Sequence, residues 1–160
     1  SARVVSVTSS AAVDAELELD DLNWRRRSYV RKTAYASSKA CNVLFSDELA
    51  RQEAIIQSGV VANAIDPGPT VTQIVRYALP QRAAQRRSMT PEQLMRQARI
   101  LNFNTPEQGA SGPLWLAASD AAAGQTGKWW TGPGLEFPPN IQLSWRTSGA
   151  AKDLWQKSEE

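Results

Sequence analysis

The sequence predicts an α/β fold, because short apolar strand-like runs alternate with longer helix-forming runs along the chain. Val4-Val5-Ser6-Val7 opens it as a β-branched run, Thr33 to Ile56 follows as a helix-forming stretch, and Val60-Val61-Ala62-Asn63-Ala64-Ile65 returns to an apolar strand. At 160 residues with 42% hydrophobic content, the chain can bury one sizeable core. No internal repeat or low-complexity segment is present.

The first strand is expected over Arg3 to Ala11, carrying Thr8-Ser9-Ser10 at its end. Asp14 to Lys32 is charged and reads as a surface loop with a turn or two of helix, its basic cluster Arg25-Arg26-Arg27 through Lys32 forming a solvated rim. The helix from Thr33 to Ile56 has Leu44, Phe45, Leu49 and Ile55 for packing, and Gly59 ends it before the second strand. Between Gln73 and Asn104, Arg76, Arg82, Arg86, Arg87, Arg96 and Arg99 face one acid, Glu92. Thr90-Pro91-Glu92-Gln93 and Thr105-Pro106-Glu107-Gln108 are capping-box starts, each with threonine at the cap and proline at the first helical position. The second of these helices runs to about Ser119 and leads into a last strand over Lys128 to Thr131. A C-terminal extension, residues 140–160, ends in an amphipathic helix whose Leu154 and Trp155 are expected to pack on the body. The spread of the six tryptophans favours core and interface packing over base stacking.

Composition removes several chemistries. With no histidine there is no histidine metal site and no serine-histidine triad, and one cysteine excludes an intrachain disulfide. Cys41 reads as a small packed side chain. A net charge of +2 gives no general attraction to nucleic acid. No apolar run approaches the ~20 residues that cross a bilayer; the compartment stays open.

The residues that suggest chemistry are Tyr35 and Lys39, four apart in a helix-forming run and therefore on one face. A free tyrosine titrates near about 10, and an adjacent ammonium can lower such a group by roughly 1 to 3 units, toward the range useful for proton transfer. Ser9, at a strand end, could hydrogen-bond the same substrate oxygen and steady the charge developing there. The trio suits carbonyl and alcohol interconversion, with the hydride supplied by a cofactor.

Ser9, the Tyr35-x-x-x-Lys39 run with Cys41-Asn42 after it, and Asp66-Pro67-Gly68-Pro69-Thr70-Val71-Thr72 occur in an order that resembles the short-chain dehydrogenase/reductase family, most closely its retinol-dehydrogenase-like branch. The resemblance covers nearly the whole chain. It implies that Ser9, with Ser10 the off-by-one alternative, orients the substrate carbonyl, that Tyr35 exchanges the proton, and that Lys39 holds the nicotinamide ribose. It also implies that Pro67 and Gly68 lie beside the nicotinamide, with Thr70 and Thr72 as cofactor contacts, and that residues 73–104 are a substrate lid. NADP is the cofactor expected for the branch, with NAD the alternative. A light-dependent pigment reductase shares the pattern from Tyr35 to Asn42, but Pro69 stands where its cysteine is expected.

The family's glycine-rich dinucleotide turn and its Asn-Asn-Ala-Gly segment have no counterpart here. By the resemblance, residues 1–160 form a single partial domain, the C-terminal half of a Rossmann-type doubly wound parallel sheet, strands 5-6-7 of that fold without the dinucleotide-binding half. One edge of the first strand is then expected to be bare, which invites pairing with another chain. The expected partners are a complementary N-terminal half or another protein chain, and a small hydrophobic carbonyl or alcohol substrate. The alternative is a noncatalytic reductase-like subunit of a larger assembly.

Overall fold

The computed structural model describes residues 2–72 and 90–159. Within them, β1 (Arg3–Val7), β2 (Val61–Ile65), β3 (Trp129–Gly132) and β4 (Leu135–Glu136) form an open sheet in the order β1-β2-β3-β4. The first two pairings are parallel, with Arg3 opposite Val61 and Val7 opposite Ile65, and β3 to β4 is antiparallel. The sheet is therefore α/β and mixed. The helices are α1 (Arg31–Leu49), α2 (Glu53–Ser58), α3 (Pro91–Ile100), α4 (Pro106–Ala118) and α5 (Ser148–Glu159).

Strand alternation sends neighbouring side chains to opposite faces, and here it builds two cores. Ala64 and Trp129 join Ala40, Val43 and Leu44 of α1 and Ala151 and Leu154 of α5 on one face. Ile65 and Trp130 join Leu116 of α4, with Val5 and Trp115 packed against them, on the other. Leu154 is buried as expected, and Phe45 of α1 stacks on Trp155 at 5.5 Å between ring centroids. Arg146 reinforces the contact by giving Asp47 two 2.9 Å bonds. Across the sheet, Arg3 Nη1 donates to the carbonyls of Leu116 and Ser119, occupying acceptors that the end of α4 would leave open.

Asn63 is a buried polar residue on β2, and each end of its amide has a partner. Nδ2 donates to the Gln125 carbonyl at 2.7 Å, while Oδ1 accepts from the Lys128 backbone N–H and from Trp130 Nε1, each at 3.2 Å.

Both capping boxes form. Gln108 donates its N–H to Thr105 Oγ1 while Gln108 Oε1 accepts from the Thr105 N–H, and Thr90 and Gln93 repeat the exchange at α3. Three expectations need correction. The first strand stops at Val7, because Ser9 caps a 3-10 turn over Ser10–Asp14 by accepting the Ala11 N–H. The helix expected over 33–56 divides into α1 and α2, because Gln52 has an extended ψ of 127°. The last strand folds back through Pro133-Gly134 as β4, an antiparallel addition to a sheet expected to be parallel.

β1 ends the sheet order, so among the described residues its outer edge carries no strand. Val61 donates to Ala2 O and Thr8 donates to Ile65 O, which turns the even-numbered residues of β1 toward β2 and the Val7 carbonyl toward the open edge. No helix among the described residues is long and apolar enough to cross a membrane.

Candidate active site

The candidate residues gather where β1 and β2 end, and in open parallel sheets the crevice outside the carboxyl ends of the strands is the usual ligand position. The small buried residues Ala36 and Ala40 let α1 lie close to the sheet, and Thr8 Oγ1 bonds the Lys39 carbonyl at 2.6 Å. This fixes the helix turn that carries Lys39 against the end of β1. Lys39 Nζ lies 5.6 Å from the centroid of the Tyr35 ring and donates to the Val7 carbonyl at 3.2 Å. The helix thus brings the ammonium and the phenol together as their spacing requires. Tyr35 is 43% exposed, so its ring is open to a ligand. Asn42, one turn beyond Lys39, donates to the same Val7 carbonyl at 2.9 Å.

Ser9 follows directly from the buried Thr8 and is half-buried. Its Oγ accepts the Ala11 N–H at 3.3 Å, a bond that uses one lone pair and leaves the hydroxyl hydrogen for another acceptor. Ser10 is exposed, and its backbone N–H is bonded to Asp66.

Pro67 and Gly68 leave the end of β2 in a turn that requires glycine, with Gly68 at φ +73°. A Cβ there would also come within 2.9 Å of Asn104 Nδ2. Thr70 faces inward: Oγ1 donates to the Gly68 carbonyl at 3.0 Å, and its side chain packs against Gly109 at the start of α4. Thr72 is exposed. Asn104 braces the turn by donating Nδ2 to the Pro67 carbonyl at 2.9 Å, by giving its N–H to Pro69 O and by accepting from Val71 N. Of the lid expected over 73–104, residues 73–89 lie outside the described residues. In the remainder, Met95 and Phe103 pack against Val71.

Human retinol dehydrogenase 13 is 32% identical over 157 residues, covering 98% of this chain and 44% of its own length. Human dehydrogenase/reductase SDR family member 13 is 30% identical over 162 residues, covering 98% of this chain and 38% of its own. The chain belongs to the short-chain dehydrogenase/reductase family. No family model matches it. A solved structure of an uncharacterized protein from Mycobacterium paratuberculosis superposes with a TM-score of 0.62 at 26% identity, over 99% of this chain and 49% of that one. This short-chain dehydrogenase/reductase chain thus spans less than half the length of the two curated relatives.

Two structural residues of this family member carry no signal in its sequence. Asp66, inside the Asp66-to-Thr72 run, and Asn104, beside Thr105, have nothing that marks them as braces, yet both hold the Pro67-Gly68 turn. A third, Asp21, is buried and accepts the backbone N–H groups of Arg25, Arg26 and Arg27, so one carboxylate shapes the basic loop. Arg27 also lies over the Trp24 ring at 3.8 Å. No metal-binding cluster occurs among the described residues.

Cys41 lies on α1 packed against the first core, and burial pushes its thiol up to about 11. Only the thiolate reacts with alkylating agents, so near pH 8 the native thiol is expected to label about 100-fold more slowly than an unfolded one. Iodoacetamide kinetics with and without urea check this. Labelling of the native thiol should accelerate as pH rises toward 11, and equal rates in the two states at pH 8 would contradict its burial.

Proposed function

We propose that this chain is the proton-handling part of a nicotinamide-dependent oxidoreductase that interconverts a carbonyl and an alcohol. The observation that carries the reading is the convergence of Tyr35 and Lys39 on α1 with the Ser9 and Pro67-Gly68 segments at the carboxyl ends of adjacent parallel strands. In this reading the Tyr35 hydroxyl gives a proton to the substrate oxygen, or takes one from it, while the Ser9 hydroxyl hydrogen-bonds that oxygen. Lys39 keeps two further N–H donors beyond its bond to Val7, which suits the ribose hydroxyls of a dinucleotide and favours negative charge on the phenol. Pro67, Gly68, Thr70 and Thr72 flank the nicotinamide, Thr70 through the shape of its turn. NADP, or NAD, supplies the hydride chemistry when bound.

A complementary N-terminal segment carrying the dinucleotide site completes the enzyme by pairing along the open edge of β1. The substrate is a hydrophobic aldehyde, ketone or retinoid-like alcohol, a reading supported by the name of the relative retinol dehydrogenase 13. The test is reduction of retinal with NADPH or NADH by the chain alone and by the chain co-expressed with the portion of human retinol dehydrogenase 13 that precedes the matched region. Turnover in the complemented sample, with little in the chain alone, is expected. A complex that forms and binds dinucleotide yet reduces neither retinal nor simpler long-chain aldehydes would instead support a noncatalytic subunit.

A further inference from the structure

Asp66 is 7% exposed, and both of its carboxylate oxygens are engaged. Oδ2 accepts the Ser10 backbone N–H at 2.6 Å, and Oδ1 accepts the Gly68 backbone N–H at 2.9 Å. Its own N–H donates to Trp130 O at 2.8 Å, so the main chain of the residue is anchored to β3. One side chain therefore ties the segment that carries Ser9 to the turn that carries Gly68.

The strands do not need this tie in order to pair. The β1–β2 ladder already closes at Thr8 N to Ile65 O, 2.8 Å, and the turn has its own braces in Asn104 Nδ2 to Pro67 O and Thr70 Oγ1 to Gly68 O. What Asp66 adds is a link beyond the end of the ladder, between the segment that carries Ser9 and the Pro67-Gly68 turn. An ionised carboxylate accepts at both oxygens, whereas an asparagine presents one acceptor and turns an NH2 toward the second N–H.

We propose that Asp66 is a positioning residue that sets the spacing between the Ser9 hydroxyl and the Pro67-Gly68 turn, and so aligns the substrate oxygen with the nicotinamide. This role depends on the oxidoreductase reading of the site. Misplacement of a reacting group by about 1 Å can cost on the order of 100-fold in rate.

The experiment compares Asp66→Asn and Asp66→Glu with Leu154→Ala, a destabilising change in the core beneath α5, which includes neither Ser9 nor the Pro67-Gly68 turn. Amide exchange of Ser10 and Gly68 in the chain itself is read by NMR, and kcat, KM and the isotope effect with deuterated NADPH are read in the complemented assay. Asp66→Asn is expected to speed exchange at Ser10 or Gly68 while leaving the Thr8 amide protected. It should lower kcat by about 10- to 100-fold with little change in the KM for retinal, and enlarge the isotope effect as the chemical step becomes limiting. Asp66→Glu, which restores the second acceptor, should recover part of kcat. Leu154→Ala should lower the melting temperature and leave kcat near wild type. An active wild type with a fully active Asp66→Asn, or unchanged exchange at both amides, overturns the positioning role alone. An inactive wild-type complex that binds dinucleotide overturns the oxidoreductase reading, and the role falls with it.

Discussion

Replacing Tyr35 with phenylalanine is expected to lower kcat by about 100- to 10,000-fold, the range that a positioned general acid or base contributes. The substitution removes one hydroxyl and keeps the ring that lies 5.6 Å from Lys39 Nζ. Because Tyr35 is on the surface, 43% exposed, stability should stay within about 0.5 kcal/mol of wild type. The loss should therefore appear in kcat, with KM for the carbonyl substrate and the melting temperature nearly unchanged. Lys39→Met is a useful companion, since it removes charge while keeping most of the stem, and it should reduce turnover in the same assay. Steady-state kinetics on the complemented protein decide the matter. Turnover of Tyr35→Phe within a few-fold of wild type would remove Tyr35 from the proton-transfer role.

Trp129→Ala is expected to cost about 3–5 kcal/mol of folding stability, a large share of the ~5–15 kcal/mol typical of a domain. Trp129 is the largest fully buried side chain, 1% exposed, and it stacks on Phe137 at a centroid distance of 4.0 Å and an interplanar angle of 6°. Trp145 sits 6.4 Å away on the same core. At this chain length the loss corresponds to a fall in melting temperature of roughly 6–20 °C. Trp129→Phe separates the causes. The indole Nε1 has no hydrogen-bond partner among the described residues, so phenylalanine gives up volume but no hydrogen bond. Its penalty should be less than half that of alanine in thermal or urea unfolding. Equal penalties would mean that a smaller aromatic ring recovers neither the stack with Phe137 nor the filled volume, so that the core requires the full indole.

The parts of this molecule that were legible in the sequence are those fixed by local rules. Threonine followed by proline and then glutamine marks a helix start whatever surrounds it, and both such starts formed. Tyr35 and Lys39 share a helix face by spacing alone, so their proximity needed no tertiary information. The break between α1 and α2 was hidden, because Ala50-Arg51-Gln52 contains no glycine or proline. β4 was hidden because two residues are too few to show strand alternation. Asp66 and Asn104 were hidden for a different reason. Their partners lie as far as 56 and 37 residues away, and only the crossing of β1, β2 and the start of α4 brings them into reach.

Asn63 gives the sheet a key that its ladder lacks. β2 and β3 are matched through two residue pairs, Ala64 with Trp129 and Ile65 with Trp130, and backbone bonds at Gly127 N–H to Ala62 O and Asp66 N–H to Trp130 O flank them. A slip of one residue would strand the bonds from Asn63 to Gln125, Lys128 and Trp130, at about 1–3 kcal/mol for each buried group left without a partner. The same slip would exchange the faces of Trp129 and Trp130, offering each helical layer the indole shaped for the other. A misaligned sheet is rejected on both sides at once, which leaves the third strand a single usable alignment.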